Sequence, residues 1–150
     1  MLRLCLIVLL GTACFLSGCG QRVPDRPSGM PATIPCTLTV TFGGEKIEGV
    51  GVFLKPKDPS QPWYAGGKTD QNGKVVLKTS GYYTGVVPGE YAVSFQKNGQ
   101  AELDKQGMPI QTPSLIPLKY TASQSKETIV ITNDKSVYVF DLEGLPDSKN

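Results

Sequence analysis

The stretch Cys36-Thr37-Leu38-Thr39-Val40-Thr41-Phe42 alternates strictly between apolar and hydroxyl-bearing side chains. Successive side chains of a β-strand point to opposite faces, so this period of two separates the apolar residues from the three threonines. Threonine and valine also favour strands over helices. The stretch therefore predicts a strand with one buried face, on which Cys36 packs as a small apolar residue.

Similar short segments follow, separated by clusters of Gly, Pro, Asn and Asp. Alternating apolar residues predict further strands at residues 50–54, 64–69, 74–79, 91–96, 129–131 and 138–142. Asp70-Gln71-Asn72-Gly73 ends in Asn-Gly and predicts a hairpin turn. One sheet could not bury all these faces, so the pattern predicts an all-β fold, a seven-stranded antiparallel β-sandwich over residues 36–143. Residues 98–118 lack a pattern and predict a long irregular connection.

Composition argues against several function classes. The chain has 15 Lys and Arg against 13 Asp and Glu, and no histidine. This charge balance gives no basic patch for nucleic acid. Without histidine the chain lacks the commonest general base and the commonest metal ligand. The sequence therefore predicts no catalytic residue, no metal site and no cofactor, and we expect a protein that is not an enzyme.

The N-terminus has the layout of a secretory signal peptide over residues 1–18, with Arg3 before an apolar run at residues 4–10. The segment Leu16-Ser17-Gly18-Cys19 resembles the bacterial lipobox. That resemblance implies cleavage before Cys19 and lipidation of its thiol, so the membrane is a predicted partner. Plain secretion is one alternative, and an uncleaved anchor, which needs about 20 apolar residues, is another. We expect an exported protein anchored in the cell envelope, at the outer rather than the inner membrane.

Residues 19–35 contain four prolines and no periodicity, which predicts a lipidated N-terminus followed by a flexible linker. In polyproline geometry such a linker reaches roughly 50 Å and would hold the domain clear of the membrane. Residues 144–150 are predicted to be a C-terminal tail. Cys36 is the one cysteine after Cys19, and the alternative to its burial is a disulfide between molecules.

Three motifs carry a family resemblance: Lys46-Ile47-Glu48-Gly49-Val50-Gly51-Val52, Thr69-Asp70-Gln71-Asn72-Gly73-Lys74 and Val87-Pro88-Gly89-Glu90-Tyr91. In this order and spacing they resemble carboxypeptidase-regulatory-like domains, which are transthyretin-like, Ig-like seven-stranded sandwiches. The resemblance covers about residues 37–142 and extends to small bacterial lipoproteins with one such domain. It implies a non-catalytic module, because the zinc ligands of the peptidases lie in a separate domain. The hydrolase known on this fold relies on histidines, which are absent here.

Two aromatic pairs, Trp63-Tyr64 and Tyr82-Tyr83, lie among Pro or Gly outside clean alternation. Exposed aromatic side chains can stack on sugar rings or anchor a protein partner, and the alternative is that they close the ends of the sandwich. We therefore expect a membrane-tethered envelope lipoprotein that binds an envelope protein or polysaccharide. The alternative is a structural coat or spacer protein with no specific ligand. An enzyme that uses groups the sequence does not identify is a more distant alternative.

Overall fold

A computed structural model describes residues 23–97, 102–103, 105–106, 108–110 and 114–143. The strands are β1 (Thr37–Phe42), β2 (Glu45–Lys46), β3 (Gly51–Pro56), β4 (Ala65–Lys68), β5 (Lys74–Val76), β6 (Lys78–Thr79), β7 (Tyr83–Thr84), β8 (Gly89–Gln96), β9 (Glu102–Leu103), β10 (Pro109–Ile110), β11 (Thr128–Ile131) and β12 (Val137–Leu142). A single turn of 3-10 helix lies at Leu118–Tyr120. No helix in the described ranges is long and apolar enough to cross a membrane.

Two sheets form the body of the fold. One has the order β12-β1-β2, with β5 also paired to β1, and the other has the order β11-β8-β3-β4-β6-β7. β9 and β10 pair with each other alone. Both sheets contribute to one hydrophobic core, whose fully buried side chains include Leu38, Leu54 and Phe95. The predicted all-β sandwich is therefore confirmed, although its strands are shorter and more numerous than the seven expected.

β1 shows how the alternation builds this core. Its side chains are alternately half-buried and buried, so the threonines face outward while Leu38, Val40 and Phe42 face the opposite sheet. Cys36 is buried just before the strand. The prediction that this stretch has one buried face is confirmed.

The prediction of purely antiparallel pairing is wrong in one place. β1 and β12 run parallel, with Thr37 opposite Val137 and Phe42 opposite Leu142. Nearly the whole domain connects these two strands, so no tight turn imposes an antiparallel direction on them. The strand predicted at residues 74–79 is also divided, because β5 joins one sheet and β6 joins the other.

The Asp70–Gly73 segment forms its turn but not a hairpin. The Asp70 amide donates to the Lys74 carbonyl at 2.8 Å, and the Gly73 amide donates to the Asp70 carbonyl at 2.9 Å. β4 before the turn pairs with β3 and β6, whereas β5 after it pairs with β1. The Val40 amide also donates to the Gly73 carbonyl at 2.8 Å, which draws the turn toward β1. The turn is therefore a corner at which the chain changes sheets.

The segment predicted to be a flexible linker lies against the domain over its described residues, 23–35. Ile34 forms a β-bridge with Val86, and Met30 is buried. Burial of these two apolar side chains stabilises the docked segment, whereas an extended polyproline segment would leave them exposed to water. The predicted signal peptide at residues 1–18, Cys19 and the predicted tail at residues 144–150 lie outside the described residues.

Candidate functional site

The four aromatic residues predicted as contacts lie in different surroundings. Tyr64 and Tyr82 are 55% and 50% exposed, whereas Trp63 and Tyr83 are half-buried. The rings of Tyr82 and Tyr83 meet edge to face with centroids 6.4 Å apart. The Tyr83 hydroxyl donates to the Asp25 carbonyl at 2.8 Å. Trp63 lines a separate depression with Pro31 and Pro88.

Tyr64 belongs to a shallow groove of about 590 Å³ on the six-stranded sheet, which also contains Phe53. The strand register explains its shape. Phe53 of β3 lies opposite Gly66 of β4, and Gly66 lies opposite Lys78 of β6. Because Gly66 has no side chain, this cross-strand row is low in its middle. We call this depression, with Phe53 and Tyr64 beside it, the aromatic groove.

One glycine in the groove is required, and a second lies against the Phe53 ring. A Cβ on Gly66 would lie 2.5 Å from the Val52 carbonyl oxygen, where no side chain fits. A Cβ on Gly51 would lie 3.1 Å from the Phe53 ring. The low floor at Gly66 is therefore built into the backbone, whereas a Cβ at Gly51 would need only a small shift of the exposed Phe53 ring.

Lysines surround the aromatic groove. Lys68 and Lys78 line it, and Lys55 is exposed on β3. None of the three forms an ion pair with a described residue. Glu90 is paired with Lys57 at 2.6 Å, and Glu48 and Asp70 line a neighbouring depression together with Lys68. The groove thus combines apolar rings with lysines that form no ion pair with a described residue.

Two buried titratable groups, Cys36 and Tyr91, have raised pKa values. Burial raises the pKa of the Cys36 thiol to about 11, which keeps it protonated at neutral pH. Burial also raises the pKa of Tyr91 to about 12. Within the described ranges no three His, Cys, Asp or Glu side chains lie close enough together to hold a metal ion. That the protein has no catalytic residue, metal or cofactor stays a prediction.

Sequence reasoning identified Tyr64 but missed Phe53 and the glycine floor. A signal for Phe53 was present, because Val52 and Leu54 predict an inward-facing pair and so an outward-facing residue between them. Ala65, Gly66 and Gly67 lie within a predicted strand, but the sequence does not indicate which strand they pair with. The cross-strand register that joins Phe53 to Gly66 is a tertiary feature.

Comparison with known proteins adds little to this geometry. No protein-family model matches the chain, and the curated proteins contain no match to it. Among solved structures, the major pilin subunit of Bacillus cereus is similar with a TM-score of 0.42 and 13% sequence identity. The match covers 75% of this chain and 30% of the pilin chain.

Proposed function

We propose that this protein is a lipid-anchored, non-catalytic binding module of the bacterial cell envelope, and that its ligand binds in the aromatic groove. The observation that carries the proposal is the exposure of Phe53 and Tyr64 beside a glycine floor. Large exposed rings close together mark contact sites more often than isolated apolar residues do. The ligand is an envelope polysaccharide or an envelope protein.

The chemistry of the groove favours a saccharide over a protein segment. The apolar faces of sugar rings stack on aromatic rings, and a flat floor beside the rings admits a chain of such units. Lys68 and Lys78 can donate hydrogen bonds to hydroxyl or acid groups on that chain. An acidic polysaccharide would use both features.

The test is binding of the full-length protein in detergent micelles to isolated envelope polysaccharide. Phe53→Ala and Tyr64→Ala should each weaken binding roughly tenfold, because an aromatic contact contributes about 1 kcal/mol beyond its buried area. Val139→Ala is the matched control, since Val139 is an exposed apolar residue on β12, in the other sheet. Equal binding by all three variants would reject the groove as the site.

A structural role in a surface layer of many copies is the alternative, and β12 offers one observation for it. β12 pairs with β1 alone among the described strands, and its outward side chains Val137 and Val139 are exposed. An apolar edge strand can pair with another copy. Self-association of the full-length protein that Val139→Lys abolishes, without any saccharide binding, would favour this alternative. A spacer role has less support, because residues 23–35 are held against the domain.

The proposed anchor is tested by mass spectrometry of the protein purified from membranes. Loss of residues 1–18 together with an added diacylglyceryl and acyl mass on Cys19 is expected. A Cys19→Ser variant should keep the signal peptide and lose the lipid. Fractionation of inner and outer membranes would then test the expected outer-membrane location.

A further inference from the structure

The segment before β1 is fastened to the sandwich at both ends of its described range. At one end, the Ile34 amide donates to the Val86 carbonyl at 2.8 Å, and the Val86 amide donates back at 2.9 Å. Met30 is buried between the ends. At the other end, the Tyr83 hydroxyl holds the Asp25 carbonyl at 2.8 Å. The chain therefore leaves the domain beside Tyr83 and not at the start of β1.

This attachment point fixes how far the domain can stand from a lipid on Cys19. Four peptide units join Cys19 to Val23, and an extended chain spans at most about 3.6 Å per residue. The α-carbons of Cys19 and Val23 can therefore be no more than about 15 Å apart. The reach of roughly 50 Å that a free linker would give is not available while residues 23–35 stay docked.

We propose that the lipidated protein stands directly on the membrane, with the corner formed by Val23, Asp25, Tyr82 and Tyr83 against the lipid headgroups. We call these four residues the membrane corner. The proposal rests on the lipidation of Cys19 proposed above. The proposal gives the domain one orientation on the membrane. The β7 edge of the six-stranded sheet, which carries the membrane corner, lies against the headgroups, and the β11 edge lies away from them.

The exposed side chains of the membrane corner suit a membrane interface. Tyr82 is half exposed, and Val23, two residues before the Asp25 carbonyl that Tyr83 holds, is 61% exposed. Tyrosine is enriched at membrane interfaces because its ring is apolar and its hydroxyl is polar. Arg26 is exposed and can attract anionic headgroups. The neighbouring Asp25 carboxylate, which is also exposed, repels the same headgroups.

The test compares a single tryptophan at two positions, one in the membrane corner and one far from it. The chain has one tryptophan, Trp63, which a Trp63→Phe background removes. Tyr82→Trp reports on the membrane corner in this background. Val139→Trp reports on the opposite side of the molecule, where β12 and β11 residues line a common depression. Each full-length lipidated variant is reconstituted in vesicles that contain a lipid with a spin label on its headgroup.

We expect the headgroup label to quench the fluorescence of the Tyr82→Trp variant at least twofold more than that of the Val139→Trp variant. Insertion of about 20 Gly and Ser residues after Gly20 should remove this difference, because such a linker lets the domain move some 25 Å away. Equal quenching at the two positions, or a difference that survives the insertion, would overturn the proposed orientation. A full-length protein that carries no lipid and stays off the vesicles would instead overturn the proposed anchor, so the two failures are distinguishable.

Discussion

Gly85 lies so close to Ile34 that a Cβ on Gly85 would be 2.5 Å from the Ile34 carbonyl oxygen. Its φ of +94° is also in the region that L side chains rarely adopt. This close approach allows residues 84–86 and the segment before β1 to pair as neighbouring strands do. The position of the membrane corner therefore depends on one glycine some 50 residues away in sequence from the segment it holds.

Gly85→Ala should release residues 23–35 from the domain. The clash with Ile34 adds to the cost of the positive φ, so we expect a loss of at least about 2 kcal/mol in the free energy of unfolding. Hydrogen exchange at the Ile34 amide, which bonds to the Val86 carbonyl at 2.8 Å, should then be faster than in the unmodified protein. Gly81→Ala is the control, because Gly81 has a φ of +78° but nothing within 4 Å of its Cβ position. Equal losses in the two variants would show that the clash is unimportant.

Thr69 is a buried polar residue, and both roles of its hydroxyl are satisfied. It accepts from the Val50 amide at 2.9 Å and donates to the Ile47 carbonyl at 2.7 Å. Thr69→Val keeps the shape but leaves two backbone groups unpaired, which should cost about 2 to 4 kcal/mol. Thr69→Ser keeps the hydroxyl and should cost less than about 1.5 kcal/mol. Chemical denaturation measures both, and similar costs would contradict a role for the hydrogen bonds.

Cys36 should be chemically inert in the folded protein. Burial raises the pKa of its thiol to about 11, so almost no thiolate forms near pH 8. A thiol-specific disulfide reagent should react with the folded protein far more slowly than with the protein in guanidinium. Rapid reaction of the folded protein, or a dimer that reducing agent separates, would instead support the alternative of a disulfide between molecules. The assay uses the processed, lipidated protein proposed above, in which Cys5 and Cys14 are removed and the Cys19 thiol is blocked, so the signal comes from Cys36.

The sequence predicted those parts of the fold in which burial dictates the pattern. The alternation in β1 identifies its buried face because a one-residue shift would expose Leu38 and Val40 together. It could not identify the partner of β1, since β12 is about 100 residues away and a parallel pair carries no turn signal. The Asn-Gly turn was predicted correctly as a turn, but local chemistry does not state which sheet each flanking strand joins.

The candidate site was predictable only in part, for a related reason. An exposed aromatic residue such as Tyr64 can be picked out along the chain by its neighbours. The aromatic groove depends on Phe53 lying opposite Gly66, and that register is set by pairing across the sheet. The docking of residues 23–35 depends on the Ile34–Val86 bridge and the Tyr83–Asp25 hydrogen bond, whereas the four prolines nearby favour a free linker. Features made by long-range contacts were therefore the ones missed.

Tyr91 should make the domain sensitive to alkaline pH. Its buried hydroxyl donates to the Val87 carbonyl at 2.7 Å and accepts from the Gln61 amide at 2.6 Å. Burial raises its pKa to about 12, above the value near 10 expected in the unfolded chain. Folding therefore favours the protonated form of Tyr91. The contribution of Tyr91 to the free energy of unfolding is complete below about pH 10 and is lost as the pH rises toward 12.

Tyr91→Phe isolates this effect. The variant should lose about 1 to 2 kcal/mol near pH 7, because the Val87 carbonyl and the Gln61 amide lose their partner. It should then lose less further stability than the unmodified protein between about pH 9.5 and 11.5. Urea denaturation at several pH values measures the pH dependence of stability in both proteins, which differ in Tyr91 alone. Parallel slopes would mean that Tyr91 is not the group whose ionisation destabilises the core.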